Sequence, residues 1–182
     1  RRDWIEVYNP TTKAIELANW FVANEDTSRA VLLTDSSNVI LPDEYAVISG
    51  DTLLAPENPG INFIHVPSFP NLRMDGDDVV LLDGNKNIIE KVSYDPNWGD
   101  LRGRSLERIN PHVDSNEPSN WGQNVSSIGH SAGNPNSVYT KVVPSQIALD
   151  ISPDPFSPDG DGVDDLAGIN LSLPTTHATI NI

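Results

Sequence analysis

A strand-and-turn cadence constrains this chain more than any other feature, and it begins at once. In Asp3-Trp-Ile-Glu-Val-Tyr-Asn-Pro10, Trp4, Glu6 and Tyr8 alternate with Ile5 and Val7 before Asn9-Pro10 stops the run. Period two gives a strand with two unlike faces. The same grammar recurs as Ile15–Val22, Arg29–Leu33, Val39–Leu41, Glu44–Ser49, Ile61–Val66, Asp78–Leu82, Ile88–Tyr94 and Ser105–Ile109, each run ended by Gly, Pro, Asn or Asp. Asp83-Gly-Asn85 is a tight-hairpin sequence between two of them. No apolar stripe of helical period competes, so the expectation is an all-β immunoglobulin-like sandwich.

The 12 Gly and 15 Pro among 182 residues agree with many tight turns. A formal charge of −15 with only 11 Lys and Arg opposes a phosphate-backbone partner, so no nucleic acid is expected. The absence of cysteine excludes disulfides and thiol chemistry. No apolar run approaches the ~20 residues that span a bilayer, so no membrane insertion is expected. A start at Arg1-Arg2 directly before a strand reads as a piece of a longer chain.

Residues 110–137 hold few apolar side chains and many Asn, Ser, Pro and Gly, with Trp121 alone among them. They read as an ordered wrap that Trp121 anchors to the sandwich. Composition shifts again near Val143-Pro-Ser145. Strand-like Ile147–Ile151 and Ile169–Leu173 flank an acidic loop, and Ala178–Ile182 starts a third run. The expected domains are therefore 1–143, a closed sandwich, and 144–182, the opening of a partial second β-sandwich.

Several phrases in order resemble the lamin tail domain, in its bacterial extracellular branch. They are Trp4-Ile-Glu-Val-Tyr-Asn-Pro10, Leu17-Ala-Asn-Trp20, Leu41-Pro-Asp-Glu-Tyr45, Gly76-Asp77 before Val79-Val-Leu-Leu-Asp83, Ser105-Leu-Glu-Arg108, Asp114-Ser-Asn-Glu-Pro-Ser-Asn-Trp121 and Gly133-Asn-Pro-Asn136. That resemblance implies an immunoglobulin-like β-sandwich without chemistry of its own, often beside secreted hydrolases. Two departures are visible: a strand usual in the family would lie before Arg1, and Asp43 stands where a Gly is usual. Ser152-Pro-Asp-Pro-Phe-Ser-Pro-Asp-Gly-Asp-Gly-Val-Asp-Asp165 resembles the start of modules similar to the immunoglobulin-like part of the flagellar hook-capping protein. Both resemblances imply an exported or cell-surface bacterial protein whose partners are neighbouring domains or other envelope proteins.

Chemistry has few footholds. Gly129-His-Ser-Ala-Gly133 spells a nucleophile elbow, yet the elbow needs a buried strand before Ser131 and a helix after it. Asn124-Val-Ser-Ser-Ile128 and Asn134-Pro-Asn136 supply neither, so Ser131 is expected in a turn and the chain is not expected to be an enzyme. Asp159, Asp161, Asp164 and Asp165 crowd one loop with Gly160 and Gly162, which suits Ca²⁺ as a cofactor. The EF-hand register fails, and an Asp-capped turn is the competing account. Asp75-Gly-Asp-Asp78 reads as a turn. Glu107 and Arg108, on opposite strand faces, are each expected in a structural salt bridge. His65, His112, His130 and His177 share no zinc-ligand spacing. Trp98 is the candidate exposed aromatic, which would serve the rival function of glycan or cell-surface adhesion.

Overall fold

Left-handed backbone at Asn19 (φ 63°) breaks what the sequence presents as one run over residues 15–22. A short polar side chain tolerates that conformation. In the computed structural model, which describes residues 3–99, 103–141 and 148–172, β1 (Trp4–Tyr8) is therefore followed by two short strands, β2 (Ile15–Glu16) and β3 (Phe21–Ala23). A 3₁₀ turn at Thr27–Arg29, capped by the Asp26 carboxylate on Ser28 N–H, replaces the start of the expected strand at Arg29. What remains of it is β4 (Val31–Leu32).

Then come β5 (Val39–Ile40), β6 (Tyr45–Ser49), a single helical turn α1 (Leu54–Glu57) and β7 (Phe63–His65). The sequence pattern cannot reveal α1, because four residues carry too little period. β8 (Asp77–Leu82) and β9 (Ile88–Tyr94) form the hairpin expected at Asp83-Gly-Asn85, where the Asp83 carboxylate accepts the N–H groups of Asn85 and Asn87. β10 (Leu106–Arg108) pairs with β11 (Trp121–Gln123), so the wrap contributes a strand as well as loops.

The strands form sheets of order β1-β6-β7 and β4-β3-β8-β9, with β2-β5 as a short pair beside them. β6 and β7 are parallel, and the segment carrying α1 supplies the crossover that parallel pairing needs. Leu17, Val22, Leu33, Ile40, Ala46, Ile48, Ile64 and Val66 fill the core, and Ile5, Val7 and Trp20 pack against it. Each fully buried Leu, Ile or Val there contributes roughly 1.5–3 kcal/mol. Ile5 and Val7 thus take the core face of β1, and Trp4, Glu6 and Tyr8 take the other, as their alternation requires.

Buried Asn9 fixes the turn after β1. Its Nδ2 donates to the carbonyls of Lys13 (2.8 Å) and Ile40 (3.0 Å), and its Oδ1 accepts Thr11 N–H and Oγ1. Every polar atom of that side chain is satisfied, which is what lets an Asn sit in a core.

The chain divides into two compact units, Arg1–Tyr139 and Thr140–Ile182. In the second, β12 (Ala148–Ser152) pairs antiparallel with β13 (Gly168–Ser172). The run expected at residues 178–182 lies outside the described residues, as does His177. No helix among the described residues is long and apolar enough to cross a membrane.

Candidate functional site

Segment 129–137 crosses the face of β1 that carries Trp4 and Glu6, and a carboxylate on each side grips it. Gly129 (φ 83°) and Gly133 (φ 74°) give it the left-handed bends that glycine adopts without strain. Glu6 Oε2 accepts Gly133 N–H at 2.6 Å. Glu107, buried in β10, accepts from Ser131 Oγ (2.6 Å), Asn124 Nδ2 (2.6 Å) and Ser105 Oγ (3.0 Å) on one oxygen. Its other oxygen takes Ser137 N–H and Oγ, both at 2.7 Å.

This corrects the expected salt bridge at Glu107: its charge is held by neutral donors. Arg108 alone has an ionic partner, with Nη1 3.7 Å from Glu90 and Nη2 on the Val113 carbonyl. Burial is the largest influence on Glu107 and pushes its carboxyl up. Four donors, Ser131, Asn124, Ser137 and Ser105, together outweigh it and hold the group below the usual range. Glu6 goes the other way. Burial raises its carboxyl to about 7, Gly133 N–H partly offsets this, and the nearby Glu107 charge adds to the rise.

Ser131 sits in the expected turn. Its carbonyl accepts Asn134 N–H at 2.8 Å, and its hydroxyl points to Glu107. His130 faces elsewhere: its ring meets Trp4 edge-on at 6.1 Å, and Nδ1 accepts Ala132 N–H at 3.4 Å. No helix follows, so the strand–turn–helix setting of an elbow is missing among the described residues.

A Cβ at Gly133 would overlap Ile61 Cγ2. Gly133→Ala would combine that clash with a strained positive φ. We expect it to lower stability by about 2 kcal/mol, readable as a lower urea midpoint at unchanged slope.

Trp98 is not an exposed aromatic. It lies half-buried in a 3₁₀ turn and stacks on Trp121, with ring centroids 5.8 Å apart and planes at 26°. Trp121 anchors the wrap through this stack and through Nε1, which donates to the Ser115 carbonyl at 2.8 Å. Of the Asp75–Asp78 segment, Asp75 and Gly76 lie in the turn and Asp77 and Asp78 begin β8; buried Asp77 accepts Arg73 backbone N–H and lies 3.7 Å from Arg73 Nε, and Asp78 pairs with Lys91 at 2.6 Å.

In the second unit, carboxylate oxygens of Asp159, Asp161 and Asp165 lie within 4.8 Å of one another. Asp164 is outside this group; its backbone is left-handed (φ 57°), and its carbonyl accepts Ser157 N–H. Asp165 takes Gly160 and Gly162 N–H, both at 2.7 Å, and Asp161 takes Val163 N–H at 2.8 Å. These acids cap the loop that carries them. Elsewhere, a shallow hollow of about 270 Å³ lies between residues 33–38 and 63–65, where Ser36 N–H donates to Thr34 Oγ1, Ser37 Oγ to Glu16 and Asn38 Nδ2 to Asn62.

The first sheet and its hairpins therefore have an immunoglobulin-like, all-β build with no assembled reaction centre in the 129–137 segment. The model of the Lamin Tail Domain family matches residues 1–96, more than half of the chain. The chain belongs to that family. Lamin tail domains are immunoglobulin-like modules and are generally not enzymes. No curated protein and no solved structure matches the chain. The match ends just after β9, so the Glu107 network lies in the part that the family model does not cover.

Proposed function

We propose that this lamin tail domain protein is a non-catalytic structural and protein-interaction module of a larger exported or cell-surface bacterial protein. Its partners are neighbouring domains of the same polypeptide or other envelope proteins. The observation that carries the reading is the use of Ser131: its hydroxyl donates to Glu107, whose carboxylate is spent on four other donor atoms, and His130 lies against Trp4, so the serine braces a turn and is not paired with a histidine base. A charge of −15 sets nucleic acid aside. Trp98 is half-buried and stacked on Trp121, which favours a structural use of this ring over a glycan platform. A fluorophosphonate probe is expected to leave Ser131 unlabelled; stoichiometric labelling that Ser131→Ala abolishes would overturn the assignment.

The cofactor that goes with this reading is Ca²⁺, held by Asp159, Asp161 and Asp165, with Asp164 as a backbone support. The favouring observation is the gathering of three carboxylates in a stretch with no Lys or Arg after Lys141. Like charges held this close destabilise a loop unless a cation offsets them, and Ca²⁺ accepts irregular oxygen cages. Calorimetry after EDTA treatment is expected to give a saturable isotherm that Asp161→Ala weakens. A flat titration leaves an Asp-capped turn.

A further inference from the structure

β9 is the last strand of the four-stranded sheet, and its outer edge is the kind of surface that recruits another strand. Alternate residues of an antiparallel strand bond to opposite sides, and the backbone groups of Lys91 and Ser93 are turned away from β8, toward Asn116. One side chain occupies one outward group of each residue. Asn116 Nδ2 donates to the Lys91 carbonyl at 2.9 Å, and Asn116 Oδ1 accepts Ser93 N–H at 2.8 Å. A terminal amide thus stands in for the peptide group of a neighbouring strand.

The segment around Asn116 is built as a strap. Asp114 Oδ1 takes Asn116 N–H, and Ser115 Oγ donates to Glu90, the residue before Lys91. Trp121 Nε1 holds the Ser115 carbonyl, and buried Asn120 donates to the Asn110, Val113 and Asp114 carbonyls. These bonds fix the strap from behind, yet Asn116 itself is exposed and touches β9 through polar contacts. At the other end of β9, Ile88 and Ile89 are 57% and 50% exposed, so the edge is apolar where the strap does not reach.

We propose that the Asp114–Glu117 strap is an edge guard, in which Asn116 blocks β9 from pairing with β9 of a second copy of the chain. Self-pairing fits the sequence. An antiparallel two-fold centred on Val92 sets Lys91 opposite Ser93 and Glu90 opposite Tyr94, and opposes no two like charges. In that register the Lys91 carbonyl of one copy accepts the Ser93 N–H of the other, and the reverse. Those are the two groups that Asn116 now satisfies, and the sheet would run on across the two-fold axis.

Sedimentation velocity on the full 182-residue chain tests this. The parent is expected to stay monomeric over a concentration series, and Asn116→Ala to shift toward dimer mass as concentration rises. Adding Ser93→Pro, which removes the outward N–H at an edge position that tolerates proline, is expected to return the variant to monomer. A folded Asn116→Ala that remains monomeric throughout overturns the proposal. So does a dimer that survives Ser93→Pro. Loss of the β-sheet circular dichroism signal in Asn116→Ala also overturns it, because Asn116 would then be a structural brace and not a guard.

Discussion

Replacing Glu107 by Ala is expected to cost about 3–5 kcal/mol, enough to unfold a large share of molecules at moderate urea. Its carboxylate accepts from five donor atoms, on Ser105, Asn124, Ser131 and Ser137. A hydrogen bond to a charged group contributes roughly 1.5–3 kcal/mol, and a buried donor left without a partner costs roughly 1–3 kcal/mol. Additivity fails within one network, so the expected total is well below the sum of five. Against a domain stability of roughly 5–15 kcal/mol this is still a large effect. Glu107→Gln separates charge from shape: its amide would point a donor at either the Ser131 or the Ser137 side, and it is expected to be nearly as damaging. The pH dependence gives an independent check. A carboxyl depressed in the folded state contributes stability that is present above its ordinary value of 4.5 and lost as pH falls through the folded value. The parent should therefore lose this contribution in acid, and Glu107→Ala should show a flatter acid limb. A variant that matches the parent in urea midpoint would show that the network is dispensable.

The sequence makes the sandwich legible because period and turn chemistry act locally. Ile5 and Val7 face the core, and Asp83-Gly-Asn85 turns the hairpin, for reasons contained in a few residues each. Where local signals mislead, a specific competitor wins. The run at 15–22 has strand composition throughout, but Asn19 in left-handed conformation splits it so that Leu17 and Trp20 both reach the core. The parallel β6–β7 pair is set by a crossover, which alternation does not encode. The Glu107 network is the deepest omission. A carboxylate beside Arg108 on a strand suggests an ion pair, and only the fold brings Ser131 and Ser137 to it from 24 and 30 residues away. A signal did exist: segment 110–137 is too poor in apolar residues to be held by a core of its own, so its order had to come from buried hydrogen bonds, which Asn110, Asn120 and Asn124 now make. The Asp159–Asp165 loop was readable as a group of carboxylates, but its left-handed bend at Asp164 was not.

Glu6→Gln is expected to stabilise the protein at pH 8, by at most about 3 kcal/mol. Burial disfavours the charged Glu6 carboxylate and lifts its value from 4.5 to about 7, with the Glu107 charge adding to the lift and Gly133 N–H opposing it. In the unfolded chain the group titrates near 4.5. Between the two values the folded protein binds more protons than the unfolded one, so stability falls as pH rises through that window. Below about 4.5 the contribution is fully present, and above about 7 its loss is complete. Gln keeps a carbonyl oxygen for Gly133 N–H, which Glu6 now holds at 2.6 Å, and carries no charge at any pH. The variant should then equal the parent near pH 4.5 and exceed it progressively up to pH 8. Glu107, whose charge couples to Glu6, is held below its usual range and stays ionised across pH 5–8, so it adds no titration there, and the remaining groups are common to both proteins. Urea midpoints measured for parent and variant at pH 5, 6, 7 and 8 give that difference directly. Parallel pH profiles would falsify the assignment of a half-buried, proton-holding Glu6. A variant less stable at every pH would instead show that the carboxylate's bond to Gly133 outweighs the burial of its charge. With the expected outcome, the two acids that grip segment 129–137 act in opposite senses: Glu107 stabilises the fold by being charged, and Glu6 costs the fold least while it keeps its proton, because burial of its charge outweighs the stronger bond that the charge would make to Gly133.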